Sequence, residues 1–188
     1  MDSIALAYWK RPEVAITIDY GQRAASTELA VAAEVARALD MRHETIRIDC
    51  TSLGSGDMAG SAPLATAPVT EWWPFRNQML LTFAGMRAVA IGVTEMMTGS
   101  VASDKTHADG RTEFYGAADT LMAMQEGNIR VLVPAIGITT VQLIRTSGVP
   151  REILAWAHSC HTGPLACGDC RGCHKHFQVT EQLYDHAY

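Results

Sequence analysis

The sequence lacks the features of a membrane or secreted protein. None of its apolar runs approaches the roughly 20 residues that cross a bilayer. The N-terminus does not show the basic, apolar and small-residue pattern of a signal peptide. We therefore expect a reducing, cytoplasmic location and no membrane partner.

Positive charge is also scarce. The 188 residues include 15 Lys and Arg against 20 Asp and Glu, which gives a net charge of -5. Such a chain has no overall positive electrostatic potential, so we expect no direct nucleic-acid binding. A local patch of basic residues is still compatible with the composition. Internal repeats are absent, and 48% hydrophobic residues suit one domain with a sizeable core.

Cysteines are few but concentrated. Four of the five lie within fourteen residues, spaced C-x6-C-x2-C-x2-C, at Cys160, Cys167, Cys170 and Cys173. This spacing indicates one structural zinc ion with tetrahedral thiolate ligation and no open position. Two disulfides or an iron–sulfur cluster are the alternatives. The fifth, Cys50, is interpreted as a small buried hydrophobe. Nearby imidazoles are expected at the surface or outside the ligand set: His158, His161, His174 and His176.

The rest of the chain alternates strand and helix. Strands are predicted near residues 14–18, 44–48, 94–98 and 131–133, with helices between them and a long functional loop over 51–70. This alternation predicts an α/β fold with a doubly wound parallel sheet. Ligands of such sheets bind outside the carboxyl ends of the strands, where residues 19–22, 99–111 and 134–140 follow three of the predicted strands.

Several motifs, in order along nearly the whole chain, resemble the 7-cyano-7-deazaguanine synthases. The motifs are Asp2-Ser3, Asp19-Tyr20-Gly21-Gln22-Arg23, Arg76-Asn77, Thr98-Gly99, Asp104 with Asp109 and Arg111, and Ser159-Cys160 with the cysteine run. The resemblance implies a Rossmann-like PP-loop ATPase of the adenine-nucleotide α-hydrolase type. It also implies that ATP, Mg²⁺ and a structural Zn²⁺ are used to convert 7-carboxy-7-deazaguanine and ammonia into the nitrile, in a homodimer.

The same resemblance implies the site residues. The catalytic residues it implies are Ser3, Asp19, Arg76 and Arg111. The residues implied to bind ATP are Asp2, Ser3, Asp19, Tyr20, Thr98 and Gly99. The residues implied to bind the deazapurine substrate are Tyr20, Gln22, Arg76, Asn77, Asp104 and Asp109. It further implies a nucleotide-binding α/β domain at 1–157 and a zinc-binding segment at 158–188 packed on that domain.

The sequence departs from the family pattern at ligand-facing positions. It starts at the methionine of S-G-G-M-D-S, so we expect the first strand and both loop glycines to be missing from it. Thr139-Thr140 stands where a Ser/Thr-Lys pair is usual, which makes Lys105 and Arg111 candidates for the missing charge. Trp72 and Trp73 are interpreted either as a stacking wall of the substrate pocket or as packing at the dimer interface.

These departures leave three functional hypotheses. The first is nitrile formation through adenylated and amide intermediates. The second is a repurposed paralogue that joins a deazapurine carboxylate to an amine on a protein partner in antiviral defence. The third is a binding or assembly module that keeps the fold and the zinc without ATP turnover.

Overall fold

Four parallel strands form two pairs in the computed structural model, which describes residues 1–184. Strand β1 (Val14–Asp19) pairs with β2 (Arg42–Arg47), and β3 (Glu95–Met97) pairs with β4 (Arg130–Leu132). The predicted α/β class with parallel strands is confirmed. Within the described residues no ladder joins the two pairs, so the sheet is divided where a continuous one was expected.

Helices connect the strands and carry the chain beyond them. They are α1 (Asp2–Lys10), α2 (Ala25–Ala38), α3 (Gly56–Ala59), α4 (Arg76–Ala90), α5 (Thr112–Ala123), α6 (Thr140–Ser147), α7 (Arg151–Leu154) and α8 (Arg171–Tyr184). The α8 helix begins at Arg171, directly after Cys170. The last four residues of the predicted zinc-binding segment, 185–188, lie outside the described residues.

The polar connections contain short helical turns. Turns of 3-10 helix occupy Thr51–Leu53, Ala102–Thr106 and Ala108–Gly110, and α3 lies within the segment predicted as a loop over 51–70. The sequence pattern missed α3 because four residues are too few to show a helical period. No helix among residues 1–184 has both the length and the apolar character needed to cross a membrane.

Helix α6 shows how local sequence fixes an element that borders the site. The Thr139 Oγ1 atom accepts the Gln142 N–H at 3.2 Å, and the Gln142 side chain accepts the Thr139 N–H at 2.8 Å. This reciprocal cap satisfies two backbone donors at the start of the helix. Gly148, at φ +65°, ends it in the left-handed conformation that glycine adopts without a steric cost.

Three clusters of buried apolar side chains pack the helices and strands against one another. The first joins α1, α6 and the residues around Val101, which is fully buried. The second packs α4 and α5 on β3 and β4. The third covers β1 with side chains of the following segments, and it includes Cys50, whose predicted burial is confirmed.

Candidate active site and metal centre

The four clustered cysteines come together in space. Cys160 lies on the segment before α8, Cys170 directly precedes that helix, and Cys173 lies in its first turn. All four sulfurs lie within 4.8 Å of one another. The Cys167–Cys173 distance is 3.9 Å and the Cys160–Cys170 distance is 4.0 Å. A disulfide needs about 2.05 Å, so the disulfide alternative is excluded for these pairs.

The donor set fits one zinc ion. Sulfurs bound tetrahedrally at about 2.3 Å from zinc lie roughly 3.8 Å apart, close to the observed spacings. Backbone N–H groups of His161 and Cys173 approach the Cys170 sulfur at 3.4 and 3.5 Å. Burial raises the pKa of the Cys173 thiol to about 12, so this sulfur needs a nearby cation to ionise. Four sulfur ligands leave no position for a catalytic water.

Contacts of α8 attach the cysteine segment to the rest of the protein. The Arg171 guanidinium lies 3.0 Å from the buried Glu71 carboxylate and donates to Thr106 Oγ1 at 3.2 Å. The Thr27 hydroxyl donates to the Pro164 carbonyl at 2.8 Å. The Arg171 contacts therefore hold α8 against Glu71 and the loop that follows β3.

The motif after β1 is tightly folded. The Asp19 carboxylate accepts the Gly21 N–H at 3.1 Å, and Gly21 has φ +94°, which suits glycine. Both amide hydrogens of Gln22 are used within the chain, by the Ile18 carbonyl at 3.2 Å and the Glu28 carboxylate at 2.8 Å. The substrate role of Gln22 stays a prediction. A base that accepts a hydrogen bond from the Gln22 amide must compete with the Ile18 carbonyl or the Glu28 carboxylate.

Tyr20 and Trp73 lie in the core. Their rings are 4.9 Å apart in an edge-on arrangement, and both residues are at least 96% buried. Burial raises the pKa of Tyr20 well above its ordinary value, while the nearby Arg76 guanidinium opposes that rise. Trp73 therefore fits neither sequence interpretation, because its ring fills the third apolar cluster.

The start of α4 holds the loop after β3. The Asn77 backbone N–H donates to Asp109 Oδ2 at 3.1 Å, and the Asn77 side chain donates to the Asp109 carbonyl at 2.8 Å. Tyr115 hydrogen-bonds Ser100 at 2.5 Å, and burial raises the pKa of the Tyr115 hydroxyl. Arg76 at the same helix start donates to the Met58 sulfur at 3.2 Å. The structure thus brings Arg76, Asn77 and Asp109 together.

The N-terminus of α1 meets the carboxyl end of β3. A Cβ atom on Gly99 would lie 2.9 Å from the Ser3 nitrogen, so only glycine allows this approach. Lys175 on α8 lies 2.9 Å from Asp2 Oδ2 and 3.7 Å from Asp104 Oδ1. This lysine was missed in the sequence, since no local motif connects it to a carboxylate 173 positions away.

The two basic side chains expected to replace the charge of the missing lysine line a different cavity from Thr140. Lys105 and Arg111 line a cavity of about 630 Å³ beside α5, and the Arg111 Nε–H donates to the Lys105 carbonyl at 3.2 Å. Thr140 lines a different cavity together with Asp2. The catalytic role of Arg111 stays a prediction.

Parallel α/β architecture, polar residues at the strand ends and a four-cysteine cluster that could bind zinc agree with a Rossmann-like PP-loop fold that carries a C-terminal metal-binding motif. The profile of the family described as "Queuosine biosynthesis protein QueC" matches residues 1–182, and the chain belongs to this family.

Curated relatives carry a more specific name. The 7-cyano-7-deazaguanine synthase of Acidobacterium capsulatum is 31% identical, over 89% of this chain and 81% of the relative. The protein of the same name from Ralstonia nicotianae is 31% identical over 85% of this chain and 78% of its own length. The protein of this name from Methanosarcina barkeri is 25% identical over 86% of this chain and 79% of its own length.

Proposed function

We propose that the protein is an ATP-dependent enzyme that converts 7-carboxy-7-deazaguanine and ammonia into 7-cyano-7-deazaguanine. The name of the relatives supports this product. The observation that carries the proposal for this chain is the approach of Gly99, at the carboxyl end of β3, to the backbone of Ser3. That approach sets N–H groups of the α1 N-terminus beside a strand end, where phosphates bind in α/β folds.

The chemistry requires activation, because a carboxylate is a poor electrophile. Its oxygen attacks the α-phosphorus of ATP, and pyrophosphate leaves. Ammonia then forms a C–N bond at the acyl carbon, and AMP leaves with the electron pair of the broken C–O bond. A second adenylation, on the amide oxygen, releases another pyrophosphate, and loss of AMP and of both protons of the amide nitrogen then gives the nitrile.

The chain's own residues have separate tasks in this scheme. Ser3 and the first N–H groups of α1 bind phosphate oxygens. Asp19, at the end of β1, would hold Mg²⁺, which takes oxygen ligands and supplies positive charge beside the phosphates. Arg76 offsets the substrate carboxylate, so that two anionic reactants can approach each other. Asn77 orients Asp109 through the two hydrogen bonds described above.

The cysteine cluster has a structural task. We propose that it binds Zn²⁺, because its sulfur spacing matches tetrahedral ligation by four thiolates. The ion would fix the start of α8 and, through Arg171 and Lys175, the loop that carries Asp104.

Carboxylate-dependent formation of AMP and pyrophosphate tests the activity. Purified protein with Mg-ATP should release both only when 7-carboxy-7-deazaguanine is present. Ser3→Ala should weaken Mg-ATP binding about tenfold in calorimetric titration, because hydrogen bonds to charged groups contribute roughly 1.5–3 kcal/mol. The matched control is Ser26→Ala, since Ser26 is exposed at the second position of α2 as Ser3 is in α1.

Two results would contradict this scheme at different levels. Absence of carboxylate-dependent AMP in the unmodified protein would refute the activity. Equal Mg-ATP affinity of the Ser3→Ala and unmodified proteins would leave the activity in place and remove Ser3 from the phosphate site.

A further inference from the structure

One imidazole lies on the loop that follows β3, among residues that the proposed function already uses. His107 is two residues before Asp109, whose carboxylate and carbonyl are held by Asn77 at the start of α4. The proposed scheme requires a proton to leave the nitrogen when the amide forms, and it names no residue that accepts this proton. His107 is a candidate, because histidine is the side chain that most often transfers protons in enzymes near neutral pH.

The backbone of the loop fixes the position of His107. Its N–H donates to the Asp104 carbonyl at 3.0 Å, and its carbonyl accepts the Gly110 N–H at 3.1 Å. The preceding residue, Thr106, accepts a hydrogen bond from Arg171 on α8 at 3.2 Å. A general base must be held in place to act efficiently, and these contacts hold the residue from both sides.

Glu71 lies against one edge of the imidazole ring. Its Oε1 atom is 3.9 Å from His107 Nε2, which is the distance of an ion pair and too long for a hydrogen bond. The Glu71 side chain is 6% exposed, and its Oε1 atom is held at 3.0 Å by the Arg171 guanidinium. A buried carboxylate in this position stabilises the imidazolium that forms when the ring accepts a proton at its other nitrogen, Nδ1.

The surroundings of the ring keep it neutral until it accepts a proton. Burial is the largest cause, and it lowers the pKa of His107 below the ordinary value of 6.5. Arg76 and Arg171 also lower this pKa, whereas Glu71 and Asp109 raise it. Arg76 is the residue that offsets the substrate carboxylate in the proposed scheme, so a neutral base lies near the reacting carbon.

The nearest carboxylates of the same loop are already engaged. Asp104 lies 3.7 Å from the Lys175 ammonium, and Asp109 accepts the Asn77 N–H at 3.1 Å. By contrast, neither ring nitrogen of His107 makes a hydrogen bond to any part of the chain that the structure describes. The imidazole therefore has a free acceptor where the carboxylates do not.

We propose that His107 is the general base of the amide-forming step. The inference rests on the proposed function. The electron pair of ammonia forms the C–N bond at the acyl carbon, and the C–O bond to AMP breaks, so that its electron pair leaves on AMP. His107 Nδ1 accepts the proton that leaves the nitrogen and later releases it to solvent.

The substitution His107→Gln tests the proposal, because glutamine keeps a polar side chain and cannot act as a base near neutral pH. We expect kcat for amide formation to fall about 100-fold, within the range of general acid–base catalysis. Carboxylate-dependent exchange of pyrophosphate into ATP precedes amine attack and should not change. His43→Gln is the matched control, since the half-buried His43 ring on β2 contacts Thr17 at 2.9 Å and should be dispensable for both steps.

The dependence of kcat on pH gives a second readout, which a purely structural role of His107 would not alter. In the unmodified protein kcat should fall as pH falls through the pKa of His107, because only the neutral ring accepts a proton. This fall is expected below pH 6.5, since the pKa is lowered. The ratio of kcat for the unmodified protein to kcat for His107→Gln should decrease in the same range. This ratio cancels the titration of ammonium, which both proteins share.

Each other outcome has a distinct meaning. Equal kcat for amide formation in the two proteins, with exchange intact, overturns the proposal, and so does a ratio that is independent of pH. Equal loss of exchange and of amide formation in His107→Gln also overturns it, because His107 then acts before the amine attacks. Absence of exchange in the unmodified protein refutes the proposed function itself, and the role of His107 falls with it.

Discussion

Cys170 makes the largest number of contacts in the cysteine cluster. Its sulfur lies 4.0 Å from that of Cys160, and the N–H groups of His161 and Cys173 approach it. Its backbone N–H in turn approaches the Cys167 sulfur at 3.3 Å. Replacing this sulfur therefore removes its contacts with the Cys160 sulfur and with the Cys173 N–H.

For Cys170→Ser we expect the protein to lose the bound metal and to become less stable. Elemental analysis should fall from one zinc per chain to nearly none. The thermal midpoint should drop by roughly 10–20 °C, since losing a metal is among the changes that cost more than about 4 kcal/mol. Cys50→Ser is the control, because Cys50 is buried outside the cluster, and it should keep its zinc. A full zinc content in Cys170→Ser would refute the assignment of this ligand.

Trp73 differs from its neighbour Trp72 in burial. Trp73 is 3% exposed and packs on Tyr20, whereas Trp72 is only half-buried. We expect Trp73→Ala to lower the free energy of unfolding by about 3–5 kcal/mol, the usual effect of removing a large core ring, and Trp72→Ala to cost less. Chemical denaturation measures both. Equal, small losses would show that Trp73 is not part of the core.

At the scale of elements, the approach of β3 to α1 depends on one glycine. In Gly99→Ala the new Cβ would lie 2.9 Å from the Ser3 nitrogen and 3.1 Å from its Cα, so backbone must move. We expect a loss of about 1–3 kcal/mol in stability, the range for overpacking, together with weaker Mg-ATP binding.

Gly116→Ala is the matched control for that substitution. Gly116 lies inside α5, where an added Cβ has no neighbour within 4 Å. Alanine is better than glycine in a helix by about 1 kcal/mol, so this variant should be slightly more stable. If Gly99→Ala were as stable as Gly116→Ala, the close contact between β3 and α1 would not exist in solution.

Local sequence signals were sufficient for most elements and for the metal centre. Apolar periodicity placed β1 and α4, and C-x2-C spacing identified the four cysteines, because both signals lie within a few neighbouring residues. The contact of Lys175 with Asp2 left no such signal, since it depends on how α8 packs against α1. Trp73 was misinterpreted for the same reason, as its burial depends on the residues that cover β1.

At the scale of the whole molecule, the proposed sites meet around the N-terminus of α1. The proposed phosphate site and the loop carrying Asp104 both border this helix end, and α8 joins them to the cysteine cluster. The predicted homodimer and the cytoplasmic location stay predictions.

Product mass tests the central claim most directly. The unmodified protein is incubated with 7-carboxy-7-deazaguanine, Mg-ATP and ammonium, and the products are followed by mass spectrometry. We predict an amide that appears first and a nitrile, lighter by one water, that follows it. The amide should build up, because Thr140 brings no positive charge where the family pattern has a lysine. Unchanged carboxylate, with neither amide nor nitrile formed while ATP remains available, would contradict the account.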